Sequence, residues 1–276
     1  MSTRPASYLC LVLLLTSALF ASFSLIVIPP AGAVVVTGGL VLGASHGKAG
    51  ESITLSGTGW PDPADDGLCS LESSPSGLLS ASSCSILGGF LSGAFTVSST
   101  ARGGAVAGVG GVTYTVTAKS SVHKADTASD SPFYVDPVIT LSPVSGSPQV
   151  GGGSPPGGAA ATTVTVTGTG FNPADTSCTY SAPAGMFFSS PTCSVKSSNG
   201  QLTGSFKVGL GSVFGTYTVT ATGNIGGDSA THSFDVVGNM ALNPTSGSAG
   251  STIGVFAAGF SSTPEPGPTC AGPPDI

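Results

Sequence analysis

Two cysteine pairs with identical spacing occupy matching places in two copies of one sequence pattern. The pairs, each 15 residues apart, are Cys69 with Cys84 and Cys178 with Cys193. Other segments match at a similar offset: GFLSGAFTV at 89–97 corresponds to GQLTGSFKV at 200–208, and YTVTA at 114–118 recurs at 217–221. A chain built this way is expected to fold as tandem copies of one structural unit.

A third copy of the pattern begins near Met240, where ALNPTSGSAGSTIGVFAAGF is similar to the opening of the second copy. It contains one cysteine, Cys270, and the sequence given stops at Ile276. Two interpretations stay open. Either this repeat is truncated and Cys270 is an unpaired thiol, or its strands pair with another chain through their edges and Cys270 forms a disulfide with that chain.

The composition favours an exported chain and argues against nucleic acid as a partner. Only 7% of the 276 residues are charged, whereas an ordinary globular protein has about 25%. The net charge is -6 without a cluster of lysines or arginines, and binding to phosphate backbones depends on such clusters. The length allows about two domains. The expected segments are an export signal at 1–33, domains at 34–136 and 137–237, and a partial third repeat at 238–276.

The N-terminal segment has the features of a secretory signal peptide. Arg4 supplies a positive charge, residues 8–28 are almost entirely apolar, and Ala31-Gly32-Ala33 offers the small residues required for cleavage. Cleavage would leave Val34 as the first residue of the mature chain. The competing interpretation is an uncleaved apolar helix that anchors the chain, because about 20 apolar residues span a membrane. In either case the remainder is expected to be secreted or held at the cell surface.

Export also determines how the four paired cysteines are interpreted. In an oxidising compartment such cysteines form disulfides, and the sequence lacks the closely spaced ligand pairs of a zinc site. We therefore predict the bridges Cys69–Cys84 and Cys178–Cys193. Each would close a loop of about 15 residues and stabilise its unit by about 3 kcal/mol.

Segments that alternate apolar and polar residues predict β-strands. In the second copy this period of two is clear at 163–167, 205–208, 217–221 and 233–236. Clusters of Gly, Pro, Asn and Ser between the segments predict turns at Ser145-Gly146-Ser147, Asn172-Pro173-Ala174-Asp175 and Ser198-Asn199-Gly200. About seven short strands for each copy predict an all-β fold with two tandem immunoglobulin-like sandwiches.

The opening third of each copy resembles the IPT/TIG-type immunoglobulin-like repeats of prokaryotic secreted and cell-surface proteins. In the second copy the resemblance rests on Pro143, Ser145-Gly146, the glycines at 151–153, TVTV at 163–166 and Gly168-Thr169-Gly170-Phe171. The third copy repeats Pro244, Ser246-Gly247, Gly250 and Gly259-Phe260. The first copy lacks the proline. The resemblance implies a stacked extracellular module with a structural or adhesive role, and it implies no particular ligand.

The first two repeats follow one another without a linker. Phe133-Tyr134-Val135 ends the last predicted strand of the first copy, and Asp136-Pro137 marks the boundary. Short connections limit bending between neighbouring domains. We therefore expect a semi-rigid arrangement that suits a spacer.

The sequence offers little for catalysis, and neither an enzymatic activity nor a cofactor is expected. Its three histidines lie at different places in the repeat, and serines are too frequent for one of them to stand out as a nucleophile. The histidines are His46, His123 and His232.

Three aspartates form a weak calcium candidate, since calcium prefers several oxygen ligands from a flexible loop. They are Asp62, Asp65 and Asp66. Only Asp65 has a counterpart in the second copy, Asp175. A solvated turn in which Asp65 and Asp175 accept backbone N–H bonds is therefore the favoured interpretation, and no metal site is expected.

Three aromatic residues are candidates for ligand contact: Trp60, Tyr180 and Phe187. Trp60 would stack on a sugar, but Phe171 takes its place in the next copy, which favours a buried anchor at the end of a strand. Tyr180 and Phe187 lie between the second pair of cysteines. The apolar residues of this segment form either an exposed adhesive tip or, as we favour, a short strand turned inward.

The main hypothesis is a non-catalytic extracellular protein with a structural or adhesive role, a semi-rigid spacer of tandem disulfide-stapled modules. The alternative is a module that binds glycan or protein through loops at one end of the sandwiches. The expected partner is a cell-envelope or extracellular protein or glycan. Membrane contact is expected only through an uncleaved N-terminal segment.

Overall fold

The computed structural model describes residues 38–61, 67–103, 111–150, 159–225 and 227–260. The predicted export signal, the aspartates Asp62, Asp65 and Asp66, the glycines at 151–153 and Cys270 lie outside these ranges. Within them the chain is all-β and has no helix, so no described helix has the length and hydropathy to cross a membrane.

The strands follow one another along the described chain at short intervals. They are β1 (Val41–Leu42), β2 (His46–Lys48), β3 (Ser52–Thr58), β4 (Gly67–Ser74), β5 (Leu79–Leu87), β6 (Phe90–Val97), β7 (Tyr114–Ser120), β8 (Thr127–Asp136), β9 (Val138–Ser142), β10 (Ser145–Gly146), β11 (Thr163–Thr169), β12 (Cys178–Ser181), β13 (Phe188–Lys196), β14 (Gln201–Val208), β15 (Gly215–Gly223), β16 (Ser229–Val236), β17 (Asn239–Asn243) and β18 (Gly254–Ala258).

Strands β1 to β8 enclose the first hydrophobic core, and we call this unit the first sandwich. Neighbouring strands follow the order β1-β3-β6-β5-β4-β7-β8-β2 in one sheet. β4 and β5 join its two halves through two residue pairs at the start of β4, Gly67 with Ile86 and Leu68 with Ser85. Both halves contribute side chains to a single core, in which an aromatic residue from β6 meets one from β8 edge to face.

Strands β9 to β16 form the second sandwich from two separate sheets. One has the order β13-β14-β11-β9, and the other has the order β10-β16-β15-β12. The two inner faces share one core, where Phe206 of β14 packs edge to face against Phe234 of β16 with ring centroids 5.9 Å apart. Val164, Val166 and Val219 are also fully buried there.

Alternation along each strand explains why these segments form sheets with one buried face. In β11, Val164 and Val166 point into the core while Thr163, Thr165 and Thr167 are exposed, because successive side chains of a strand lie on opposite faces. Burying one such apolar side chain contributes about 1.5–3 kcal/mol. A register shift by one residue would expose the valines, so the pattern also fixes the pairing.

Residues Ser145 and Gly146 were expected in a turn, and that prediction is wrong. They form the two-residue strand β10, which pairs in parallel with Asp235 and Val236 of β16. Glycine is required at this point because a Cβ on Gly146 would lie 2.7 Å from the side chain of Thr162. The second sandwich therefore has eight strands, one more than the seven expected in each copy.

Strands β17 and β18 form a separate antiparallel hairpin. Asn239 pairs with Ala258 at one end, and Asn243 pairs with Gly254 at the other. No other described strand pairs with either of them. The side-chain amide of Asn239 donates to the carbonyl oxygen of Pro148 in the second sandwich.

Candidate functional site

Trp60 lies in the core of the first sandwich and is not a surface platform. Its side chain is 3% exposed and covers two glycines, Gly38 and Gly57. A Cβ on Gly38 would lie 2.7 Å from the indole ring, so the ring occupies space that a side chain would need. The suggestion that Trp60 contacts a ligand is therefore wrong, because its faces are covered by the protein itself.

Tyr180 closes the edge of the second core and is also unsuited to stacking on a ligand. Its ring packs against Phe188 and Phe206. Its hydroxyl donates to the carbonyl oxygen of Thr192 at 3.1 Å. Burial raises the pKa of Tyr180 to about 12. The ring thus serves the packing between β12 and β14, and the suggested ligand contact is not supported by its surroundings.

Phe187 is the candidate aromatic residue that reaches solvent. We favoured an inward orientation for this segment, which holds for the buried Met186 and is wrong for Phe187, whose side chain is 54% exposed. Its backbone is fixed: its N–H donates to Ser212 Oγ, and its carbonyl accepts from Gly209. Leu210 and Phe214 are also exposed, and they lie in the β14–β15 loop that contains Gly209 and Ser212. These residues form an apolar patch on a backbone held by hydrogen bonds.

Each disulfide joins two consecutive strands of its sandwich, one from each half of the fold. Cys69 of β4 is bonded to Cys84 of β5, with their Cα atoms 5.3 Å apart. In the second sandwich the bond from Cys178 to Cys193 joins β12 to β13, which are edge strands of different sheets, with Cα atoms 5.1 Å apart. The bridge therefore ties the two sheets of the sandwich to each other where backbone pairing between them is minimal.

A glycine faces the second cysteine of each pair across the sheet. Gly93 of β6 pairs with Cys84, and Gly204 of β14 pairs with Cys193. A Cβ on Gly204 would lie 2.1 Å from the carbonyl oxygen of Thr192 and 2.3 Å from the hydroxyl of Tyr180. Because Gly204 has no side chain, β13, which carries Cys193, can lie close to β14 at this point.

Asp175 is fully buried at the end of the second sandwich, so the prediction of a solvated turn is wrong for this residue, although its side chain does accept a backbone hydrogen bond. Its Oδ1 accepts from the N–H of Ile225 at 2.6 Å. Its carboxylate lies against Gly223, where a Cβ would approach Oδ2 to 2.1 Å. The side chain therefore connects the loop after β11 to the loop after β15.

A second buried carboxylate, Asp228, lies beside Asp175 and was not predicted. Its Oδ2 accepts from the backbone N–H of Asn172. Burial raises the pKa of Asp228, and the charge and hydrogen bond of Asp175 raise it further, while the bond from Asn172 lowers it. The sequence contains a signal for this site: an aspartate directly precedes the last strand in both copies, Asp126 before β8 and Asp228 before β16.

A cleft of about 420 Å³ separates the ends of the two sandwiches at this point. Its lining comprises Lys48, Asp136, Pro137, Val138, Gly227, Asp228, Ser229, Ala230 and Thr231. At its rim, His46 Nδ1 lies 2.7 Å from Asp136 Oδ2, and this hydrogen bond raises the pKa of the largely exposed His46. Three or more side chains suited to hold a metal ion do not cluster anywhere in the described ranges.

The other two histidines, His123 and His232, are not among the residues that line this cleft. The ring of His232 lies on β16 and faces the carbonyl oxygen of Ser233 at 2.8 Å. His123 lies in the turn between β7 and β8, where its backbone N–H donates to Ser120 Oγ. The three histidines thus lie on separate elements of two sandwiches.

No protein-family model and no curated protein matches the sequence. Among solved structures, the chain is similar to the adhesin InvE of Yersinia pseudotuberculosis, with a TM-score of 0.28 and 12% sequence identity. The match covers 72% of this chain and 58% of that chain, so this chain spans little more than half of the adhesin. A similarity at this level supports no conclusion about function.

Proposed function

We propose that this protein is a non-catalytic extracellular protein with a structural or adhesive role, in which tandem immunoglobulin-like modules act as a semi-rigid spacer. The observation that carries the proposal is the direct connection between the first and second sandwiches. β8 ends at Asp136 and β9 begins at Val138, so a single residue connects the two units.

Backbone contacts across this junction support limited bending. The N–H of Gly103 donates to the carbonyl oxygen of Phe171 at 3.2 Å. A Cβ on Gly170 would lie 2.5 Å from the carbonyl oxygen of Asp136 and 3.1 Å from Pro137. Backbone atoms of the two units are thus in close contact at these two points, which supports limited bending.

The order of the strands supports an immunoglobulin-like module. In an immunoglobulin constant domain the strands A to G, named in chain order, form the sheets ABED and CFG. In the second sandwich β9, β11, β14 and β13 take the places of A, B, E and D, and β12, β15 and β16 take those of C, F and G. The first sandwich follows the same order along its single sheet. On this basis we propose modules at 34–136 and 137–237.

The disulfides and the composition support an extracellular location. Two intrachain bridges persist in oxidising compartments and are rare in the cytosol. The charged fraction of 7% is also far below the roughly 25% of an ordinary globular protein, which suits a secreted or surface-exposed chain. We propose that residues 1–33 direct export, which predicts that the protein is recovered from the medium or the cell surface.

Small-angle X-ray scattering tests the spacer role. We expect the exported chain to fit a narrow distribution of distances between the first two sandwiches. The matched control carries six Gly and Ser residues inserted between Asp136 and Pro137, which should broaden that distribution because such linkers are flexible. Equal breadth for the native and the inserted chain would rule out a semi-rigid spacer.

The exposed patch of Phe187, Leu210 and Phe214 favours a second candidate function, glycan binding at one end of the second sandwich. Aromatic rings on fixed loops offer apolar area with little loss of side-chain entropy. A glycan array probed with the native chain and with Phe187→Ser tests it. Binding that the substitution abolishes supports this function, and an array without signal removes it.

A further inference from the structure

We propose that Asp175 and Asp228 form a pH-sensitive latch, in which one proton held between their carboxyl groups fixes two loops of the second sandwich. These are the loop after β11 and the loop between β15 and β16. The latch is closed while the proton is bound and opens when the proton is lost. The latch itself is a property of the second sandwich, whereas its effect on the junction with the first sandwich rests on the proposed spacer role.

Both carboxyl groups are removed from water and bind the loop opposite their own. Asp175 is 0% exposed and Asp228 is 4% exposed. Asp228 accepts from the backbone N–H of Asn172 in the loop after β11. Asp175, in that same loop, accepts from the backbone N–H of Ile225 in the loop between β15 and β16. The two side chains therefore connect the same two loops in both directions.

The contact between the two side chains requires a proton. Asp228 is hydrogen-bonded to the side chain of Asp175, and an ionised carboxylate can only accept a hydrogen bond. The described part of the chain offers Oδ1 of Asp228 no N–H or O–H donor. A protonated Asp228 supplies the donor, whereas two ionised carboxylates would repel each other. Burial and the charge of Asp175 both raise the pKa of Asp228, which favours its protonated form.

The first sandwich has a buried aspartate at the position of Asp228. The N–H of Ser120 donates to the carbonyl oxygen of Asp126, just as the N–H of Gly223 donates to that of Asp228. Asp126 is 7% exposed. Aspartate is almost never buried unless its carboxyl group is paired, and only 13 of the 276 residues are Asp or Glu. The recurrence of a buried acid at this point in both sandwiches therefore indicates a role for the carboxyl group.

The two loops lie at the junction with the first sandwich. The loop after β11 includes Phe171, whose carbonyl oxygen accepts from the N–H of Gly103 in the first sandwich. Asp228 lines the cleft of about 420 Å³ together with Lys48 and Asp136 of the first sandwich. Opening of the latch therefore frees the loop that carries a backbone contact between the two units.

The direction of the pH effect follows from the raised pKa of Asp228. A carboxyl group of this kind stabilises the folded state at low pH, and the contribution is lost as the pH rises through the folded pKa. Lys48 and Asp136 also face the cleft, and His46 lies at its rim. The hydrogen bond and charge of Asp136, with a smaller effect of Glu51, raise the pKa of His46, so this contact also weakens as the pH rises. It lies within the first sandwich, so a substitution of His46 separates the two effects.

Carbon-13 NMR of the aspartate carboxyl groups, combined with hydrogen exchange, tests the latch on the full exported chain. We expect the carboxyl group of Asp228 to titrate above the ordinary range of aspartate. The amides of Asn172 and Ile225 should lose at least about tenfold of their exchange protection between about pH 4 and about pH 8. Titration of Asp228 in the ordinary range, or protection that stays constant over this interval, would overturn the proposal.

Two variants assign the pH dependence to the carboxyl pair. Asp228→Asn replaces the titrating acid by an amide that donates to Asp175 at every pH, so its loops should keep their protection at about pH 8. His46→Gln is the matched control, because it removes the other titrating contact at the junction and should leave the loss of protection unchanged. Equal behaviour of the two variants contradicts the proposal. Recovery of protection in the native chain on addition of calcium also contradicts it, since the pair would then bind a cation.

Small-angle X-ray scattering at the same pH values separates the latch from the spacer role. We expect the distribution of distances between the two sandwiches to broaden at high pH in the native chain and to stay narrow in Asp228→Asn. A broad distribution at every pH, together with pH-dependent protection of the loops, would contradict the spacer role and support the latch. A narrow distribution with constant protection would overturn the latch alone.

Discussion

At the scale of single residues, buried polar groups are the least expected feature of a chain so poor in charge. Turn composition in the Asn-Pro-Ala-Asp segment predicted a solvated Asp175, but the side chain is buried and accepts its hydrogen bond from Ile225, which lies 50 residues away. Its proximity to Asp228 could not be predicted, because the two residues are 53 positions apart and only the stacking of two loops brings them together. The pair is a property of the tertiary structure.

The raised pKa of Asp228 predicts that Asp228→Asn stabilises the protein near neutral pH. A carboxyl group whose pKa is higher in the folded state favours folding at low pH, and this contribution is lost as the pH rises through the folded pKa. An amide can still accept from Asn172 and donate to Asp175 without carrying a charge. We expect a gain of about 1 kcal/mol at pH 7 that disappears below about pH 4.

Chemical denaturation at several pH values measures this difference. Glu72→Gln is a suitable control, because Glu72 is exposed and paired with Lys119, and exposed pairs contribute about 0–1 kcal/mol. Lower stability of Asp228→Asn at pH 7 would show that the charged form is the one the fold favours.

The counterparts Leu78 and Phe187 provide a matched test of burial. The carbonyl oxygen of Leu78 accepts a hydrogen bond from the N–H of Ser98. The carbonyl oxygen of Phe187 accepts the equivalent bond from the N–H of Gly209. Leu78 is fully buried, so Leu78→Ala should destabilise the first sandwich by about 2–5 kcal/mol. Phe187→Ala should change stability by less than about 0.5 kcal/mol. Thermal unfolding of both variants measures these two changes in stability. A large loss of stability for Phe187→Ala would mean that the ring of Phe187 is covered.

At the scale of elements, period-two alternation predicted the longer strands of the second sandwich, because each has one face in the core. It could not predict β10, whose two residues are too few to alternate and whose pairing partner lies about 90 residues away on β16. The exposed side of Phe187 was missed for a related reason. An apolar run between two bridged cysteines predicts burial, whereas the structure leaves the ring of Phe187 exposed next to the β14–β15 loop.

The glycine opposite each disulfide predicts a strong effect of a single methyl group. Gly204→Ala should destabilise the second sandwich by about 2–4 kcal/mol, because the added Cβ would overlap the carbonyl oxygen of Thr192 and the Tyr180 hydroxyl. Gly39→Ala is the control, since its Cβ would meet its nearest neighbour at an ordinary 3.5 Å. Hydrogen exchange of β13 and β14 amides reports the loss locally. Unchanged protection in Gly204→Ala would contradict the packing described here.

At the scale of the whole molecule, the contact between the first two sandwiches could not be predicted from the sequence. The absence of a linker at Asp136 and Pro137 indicates limited bending. The bond from Gly103 to Phe171 depends on where the loop after β6 lies, and no local pattern specifies that position. The proposed spacer role therefore rests on two observations. A single residue connects the two sandwiches, and backbone atoms of the two sandwiches are in contact.

The central proposal is that one disulfide lies within each of two all-β units and stabilises that unit outside the cell. Peptide mapping of the exported protein by mass spectrometry without reduction tests it most directly. The account predicts one linked peptide pair containing Cys69 with Cys84 and a second containing Cys178 with Cys193. Recovery of these four cysteines as free thiols, or linked in any other combination, would contradict it.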